Sequence, residues 1–403
     1  MAKVTPIWEK AEIEGENRCM FRRMMILPCL AVVVPLLADP PAKTAPAAAR
    51  NLKAVLEPIR REYQLPALTA AIVLDRKLVA EGTVGVRRAE HHEAVALHDR
   101  FHIGSCTKSM TATLCAILVE KGRLKWTTTI EEEFPKLKDK LHPDYHEVTL
   151  DHLLNHRSGL PDDKVPDAVL QPKIRALKGP IKEQRLALIG LVLHDKPKAQ
   201  PGTKFQYAND GYTIAGAMCE QATGAGWEDL MRDFLFRPLG MTTAGFGPPG
   251  KAGAVDEPWG HAVKDKGKPV PTPPDADADN PAVIGPAGAV HCSVQDWARY
   301  AVLHLGGAPS LLREGTLRHL HTPPFGDDYA YGWQLVPQPW AGGKSLYHRG
   351  SNNYWFAVIW LAPARGNAYL AATNRGDEEK GYAGCDATVG KLLDWNPAGT
   401  GPK

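Results

Sequence analysis

Two periods of apolar and polar positions run along this chain. In 51–63, Leu52, Val55, Leu56, Ile59 and Tyr63 recur at three- and four-residue intervals, which predicts an amphipathic helix. Residues 67–74 and 77–82 read as two strands with Asp75-Arg76 as the turn between them. A second helix is expected from about Ser105 to Lys121, where Gly122 stops it, and 150–155 is a further helical piece. The middle, about 161–281, reads as helix and loop, with helices at 211–223 and 227–235. Within it, 247–281 is dense in Gly, Pro and Asp and reads as an irregular loop or small insertion. Residues 294–305 are helical again. The tail then turns to strands at 331–336, 345–348, 354–361 and 368–373, and 391–395 lies in a closing helix. Strands at both ends around a helical centre predict an α/β fold. Its sheet is assembled from both ends of one domain, 45–398, with a mainly helical region, about 101–290, inserted.

Composition adds boundaries. An apolar fraction of 44% and a charged fraction of 23% are ordinary for a globular protein. A net charge of +3 over 403 residues gives no reason to expect a nucleic-acid partner. Before the domain, Arg22-Arg23 precede the uncharged apolar run 24–38, and Ala38 or Ala42 suits a cleavage site. The run is shorter than the ~20 residues that span a bilayer. The expectation is a signal peptide and Pro/Ala-rich tether over 1–44, with 1–19 reading as a mis-assigned start or an untranslated extension. The protein is then exported to the periplasm or medium, with no stable span once the signal is removed. Cys19 and Cys29 fall in that segment. Cys106, Cys115, Cys219, Cys292 and Cys385 read mainly as small buried hydrophobes, and their spacing identifies no disulfide pair.

Three short patterns carry chemistry. Ser105-Cys106-Thr107-Lys108 is an S-x-x-K at a helix start, where positions three apart share a face. Serine needs a neighbouring base. A lysine serves only if its pKa falls well below ~10.4, and burial together with the positive end of a helix favours the neutral amine. The Ser105 N–H also sits where an oxyanion is held. Tyr207-Ala208-Asn209 offers a phenol that exchanges protons with a serine or leaving group, and an amide that bonds both a substrate carbonyl and a lysine. His348-Arg349-Gly350 ends a strand; its glycine is expected to let substrate lie flat against the strand edge. His102-Ile103-Gly104 and His304-Leu305-Gly306 also fit H-x-G, but only His348 follows the tyrosine element and closes a strand.

Together and in this order, these patterns resemble the serine β-lactamase and penicillin-binding protein superfamily, in its branch of class C β-lactamases, D-alanyl-D-alanine carboxypeptidases and esterases. Residues 153–161 (LLNHRSGLP) are similar to that family's LLxHTSGLP segment, 201–212 to PGxxFxYSNxGY, 237–241 to xPLGM, and Ala287-Gly288 to its AGGL-type turn. The resemblance covers about 52–393. It implies the β-lactamase/transpeptidase-like fold, an antiparallel sheet flanked by helices. It also implies acyl-enzyme chemistry with no cofactor or metal, on a small-molecule or peptide substrate. By position, Ser105 resembles the acylated nucleophile, Lys108 its base and Tyr207 the proton-shuttling phenol. Asn209 resembles the substrate-orienting amide, and His348, Arg349 and Gly350 stand where the family has K-T-G or H-T-G. Ser351 would supply the second oxyanion N–H. Arg349 replaces a hydroxyl that helps hold a substrate carboxylate, Arg157 replaces a threonine, and the K-T-G lysine is absent. These departures argue against strong β-lactam hydrolysis and for ester or D-peptide substrates.

Rival readings are weaker. No G-x-S-x-G elbow supports an α/β-hydrolase. His142 with His146, or His152 with His156, has i, i+4 spacing, yet neither pair comes with H-E-x-x-H or a clear third ligand. A non-catalytic binding protein of the same fold fits best without Ser105, Lys108 or Tyr207, and all are present.

Overall fold

The computed structural model describes residues 49–162, 170–264, 267–275 and 278–395. The expected signal segment and tether, 1–44, lie outside the described residues. No helix among the described residues is long and apolar enough to cross a membrane.

Eight strands form the main sheet: β1 (Arg50–Asn51), β2 (Ala67–Leu74), β3 (Lys77–Gly85), β4 (Tyr329–Ala330), β5 (Trp333–Gln338), β6 (Gly343–Ser351), β7 (Phe356–Ala362) and β8 (Asn367–Thr373). Their order is β1-β3-β2-β8-β7-β6-β5-β4. Neighbours are antiparallel except β1 and β3, which run parallel. The sheet is thus closed at its centre by β2 against β8, strands from the two ends of the chain. The expected strands are found within a few residues. The largest differences are three-residue extensions, of 77–82 to Gly85 and of 345–348 to Ser351; the strand expected over 331–336 runs Trp333–Gln338, starting after Tyr331, which adopts φ +47.

Each face of the sheet carries a core, as period-2 alternation dictates. Leu68, Ala70, Ile72, Phe356, Val358 and Ala371 pack against helices α1 (Lys53–Glu62) and α5 (Ala383–Leu393), with Leu52, Leu56 and Cys385. On the other face, Ala71, Val73, Ala357, Ile359 and Leu370 join the larger core built by the inserted region. That region supplies α2 (Thr107–Glu120), α3 (Asn209–Thr223) and α4 (Val294–His304). A three-stranded sheet of Phe101–His102, Val290–Cys292 and Gly245–Phe246 adds to it. The stretch expected as loop over 247–281 also holds a hairpin, Gly260–Lys264 with Lys268–Thr272. Its proline-rich second strand hid it from the alternation pattern.

Helix α2 is buried from Thr107 to Leu118, as befits a helix surrounded by core. Its polar side chains are satisfied locally: Ser109 Oγ donates to Cys106 O, Thr111 Oγ1 to Pro286 O, and Thr113 Oγ1 to Ser109 O. Cys106, Cys115, Cys219, Cys292 and Cys385 are buried, as read from sequence, and all five are free.

Candidate active site

Ser105 sits in a 3-10 turn, Gly104–Cys106, that leads into α2 two residues later than the sequence suggests. It is half-buried between fully buried neighbours. Lys108, one turn on, has no exposed surface. Its Nζ lies 3.1 Å from Ser105 Oγ, 2.5 Å from Asn209 Oδ1 and 2.9 Å from Ala287 O. Those oxygens come from the nucleophile turn, the first residue of α3 and the Gly285–Gly288 turn. A neutral amine meets this set well: two N–H groups face Asn209 and Ala287, and the lone pair faces the Ser105 hydroxyl. Nζ also lies 4.7 Å from the centre of the Tyr207 ring.

Tyr207 and Asn209 are placed by His156, a residue the sequence offers as part of the LLNHRSGLP segment and in the His152–His156 pair. His156 is buried with φ +57. Its Nδ1 accepts from the Ala208 N–H at 3.0 Å, its carbonyl accepts from Gln206 N at 2.8 Å, and its ring lies 4.3 Å from that of Tyr207. Burial foremost, then the charge of Lys108, holds its pKa well below the usual value. With Nδ1 accepting, the proton is on Nε2, which donates to Tyr329 Oη at 3.2 Å. Tyr329 Oη lies 3.4 Å from His348 Nε2, and His348 Nδ1 donates to Arg349 O at 2.8 Å. Directional hydrogen bonds therefore run from Ala208 through His156 and Tyr329 to His348. Burial, then Lys108, pushes the His348 imidazole down to about 3. Tyr329 was not singled out from sequence. Its signal is faint: an aromatic just before a strand.

The helix Leu150–Leu154 ends before His156, so His152 and His156 do not share one helical face, and the i, i+4 spacing misleads there. His152 instead closes a capping box with Thr149. His146 pairs with Glu131, and His142 Nδ1 accepts from Asp144 N.

At the strand end, β6 alternates. Leu346, His348 and Gly350 face the nucleophile side, while Tyr347 and Arg349 face α5. Arg349 Nη1 bonds Glu378 at 3.0 Å, and its guanidinium stacks 4.7 Å from the Tyr382 ring. The expectation that Arg349 touches substrate is therefore corrected: its side chain is on the opposite face from Ser105. Gly350 has a reason beyond the one expected. A Cβ there would lie 2.1 Å from Ile103 O and 2.5 Å from Ser105 N. Ser351 follows, with its hydroxyl donating to Gly376 O and accepting from Asn353 N. Arg157 ties loops together: it bonds Thr203 O at 3.0 Å and Asp327 Oδ2 at 2.5 Å, while Asp327 Oδ1 accepts from Tyr329 N.

A buried lysine on a serine, a phenol beside it and two backbone amides across a strand–turn contact define a serine-hydrolase type of site on a mixed α/β fold. Comparison with known proteins identifies the family. The beta-lactamase family profile matches residues 51–393, and the chain belongs to that family. It is 27% identical to penicillin-binding protein 4 of Amycolatopsis lactamdurans, over 79% of this chain and 83% of that one. It is 25% identical to an unguisins hydrolase of Aspergillus campestris, over 73% of this chain and 58% of that one. The octameric penicillin-binding protein homologue of Pyrococcus abyssi superposes with a TM-score of 0.68 at 24% identity, over 86% of this chain and 78% of that one. The fold and superfamily expected from sequence are thereby established.

Proposed function

We propose that this chain is an exported serine hydrolase that forms an acyl-enzyme on Ser105, and that small esters and D-amino-acid peptides are better substrates than β-lactams. The observation that carries the reading is Lys108 Nζ, buried and 3.1 Å from Ser105 Oγ. Export rests on the apolar run 24–38 behind Arg22-Arg23.

In the acylation step, the Ser105 proton passes to Lys108 Nζ as Oγ bonds the substrate carbonyl carbon. Asn209 and Ala287 accept from the ammonium so formed. The oxyanion is held by the N–H groups of Ser105 and Ser351. Tyr207, beside the same ammonium, passes the proton to the leaving alkoxide or amine as the carbonyl re-forms and the acyl bond breaks. Water then attacks the Ser105 ester and gives a proton to the same base, which returns it to Ser105 Oγ as the acyl bond breaks, releasing the acid and the free serine.

The preference for esters over β-lactams follows from charge; a D-Ala-D-Ala peptide bears a carboxylate beside its reactive carbonyl as a β-lactam does, so the charge argument separates the esters alone. A β-lactam presents a carboxylate beside its reactive carbonyl, which the family's K-T-G lysine and hydroxyl help to hold. Here His348 is uncharged near neutral pH and Arg349 faces the other side of the sheet. Neither offers that carboxylate a cation.

The test is one panel under one condition: p-nitrophenyl butyrate, a D-Ala-D-Ala peptide and a chromogenic cephalosporin. Turnover of the first or second, with a fluorophosphonate label on the Ser105 peptide, is expected. No turnover and no label would favour the non-catalytic binding protein.

A further inference from the structure

His102 is the residue the H-x-G pattern left without a role. It ends the short strand Phe101–His102, two residues before Gly104, and its side chain is wholly buried. Nδ1 accepts from the Gly104 N–H at 3.1 Å, and Nε2 lies 3.0 Å from Asp279 Oδ2. A proton on Nδ1 would set two N–H groups against each other, so the proton is on Nε2 and is donated to Asp279. The second oxygen, Asp279 Oδ1, accepts from Asn352 Nδ2 at 2.8 Å and from Asn280 N at 2.7 Å. Asn352 is itself locked: its Oδ1 accepts from the Tyr354 and Trp355 amides, and Nδ2 also reaches Ala278 O.

One carboxylate therefore joins two places that are far apart in sequence. One arm runs through His102 to Gly104, the residue before Ser105. The other runs to Asn352, the residue after Ser351. Between them Gly104, at φ +50, approaches Ser351 so closely that a Cβ on it would lie 2.4 Å from Ser351 N. The amides of Ser105 and Ser351 are the two oxyanion donors in the reading above.

We propose that Asp279, acting through His102 and Asn352, is a positioning residue that sets the relative placement of these two N–H groups and so the strength of the oxyanion hole. This rests on the acyl-enzyme reading. A hole whose donors drift holds the ground-state carbonyl nearly as well but the developing charge poorly, because stabilisation depends on donors preset for the oxyanion. The loss falls on kcat rather than on KM.

The test uses the full chain with Asp279→Asn, His102→Asn and His102→Leu. His102→Asn retains an acceptor for the Gly104 N–H but cuts the arm to Asp279; His102→Leu removes both bonds. With p-nitrophenyl butyrate, kcat should fall about 10- to 100-fold for Asp279→Asn, since displacements of ~1 Å cost up to about a hundredfold. KM should stay within about threefold, with His102→Leu below His102→Asn. The second readout is the carbonyl stretch of the trapped Ser105 ester, by infrared difference with 13C-labelled acyl groups. In the parent the hole polarises the carbonyl and lowers the frequency; in the variants the band should move up towards that of a free ester. A residue that merely supports the fold would lower Tm without moving the band. Should Asp279→Asn fail to fold, His102→Asn carries both readouts. Parent-like kcat and an unmoved band in folded variants overturn the proposal while leaving the Ser105 nucleophile intact. A parent that never acylates at Ser105 overturns that reading and this one with it.

Discussion

Gly350 and Gly104 press backbone against backbone. A Cβ on Gly350 would lie 2.1 Å from Ile103 O, and one on Gly104 would lie 2.4 Å from Ser351 N. This contact is what brings a strand from the C-terminal third of the chain against a turn from the first third. Neither backbone can yield without moving an amide, because the turn is continuous with α2 and β6 is paired to β7 from Leu346 to Ser351.

Gly350→Ala should therefore damage catalysis more than the fold. The main sheet retains its core, but the Ser105 amide must shift. An activity loss of about a hundredfold or more is expected, of the order of losing one oxyanion donor. Steady-state kinetics beside a thermal melt check this; near-parental kcat/KM would show that the contact is tolerant.

The base assignment makes a non-additive prediction. Lys108→Ala and Tyr207→Phe should each lower kcat about 10²- to 10⁴-fold, the usual range for a placed proton-transfer group. The double variant should be little worse than the poorer single, because both act on one proton path. Ser105→Ala should abolish fluorophosphonate labelling. Multiplying losses in the double variant would instead place the two groups on separate steps.

Stability should fall with acid in the neutral range. His156 and His348 in the site, and His261, His291 and His304 elsewhere, are held below the usual imidazole value mainly by burial. Their unfolded value is about 6.5. Below it the unfolded chain binds protons that the folded chain refuses, so stability drops as pH falls towards the folded values. For His348 and His291 those are about 3, and for His261 about 4. Each contributes up to about 1.4 kcal/mol per pH unit across its window. Glu220 and Glu257, raised by burial, oppose this at lower pH, since they bind protons more readily in the folded state. Melts from pH 7.5 to pH 5 should show a steady decline in Tm. A flat or rising Tm would mean that these histidines are open to solvent.

The pattern of the chain made much of this legible. The strands read over 67–74 and 368–373 are the two central ones, and S-x-x-K spacing placed Lys108 beside Ser105 because one helical turn does so by geometry. What spacing cannot convey is which face a strand residue takes within a fold. Arg349 was read beside substrate, yet its neighbours His348 and Gly350 occupy that face, and period-2 alternation turns Arg349 to Glu378. Nor does sequence reveal partners that meet only through the fold. Asp279 lies 177 positions from His102, and Tyr329 lies 173 from His156.

The substrate preference makes the last prediction, and the facing of Arg349 changes how it is tested. If Arg349 lay in the cleft, replacing it would restore or remove a carboxylate contact. It lies on the α5 side, paired with Glu378 and stacked on Tyr382. Arg349→Thr should therefore leave the ratio of cephalosporin to ester turnover within about threefold of the parent, as for exposed substitutions away from the site. His348 is the position where charge matters. It is buried on the nucleophile side, and Lys108 nearby contributes to keeping it neutral. His348→Lys places a second cation on that side, at some cost in stability because a buried ammonium must be desolvated. If that cation reaches a substrate carboxylate, it strengthens binding only of substrates that carry one. The kcat/KM ratio of cephalosporin to p-nitrophenyl butyrate should then rise about tenfold or more, the effect of ~1.4 kcal/mol. Both substrates are measured on parent, Arg349→Thr and His348→Lys, with a melt for each protein. A parent that already prefers the cephalosporin, or an Arg349→Thr change that by itself shifts the ratio tenfold, would refute the assignment of preference to His348.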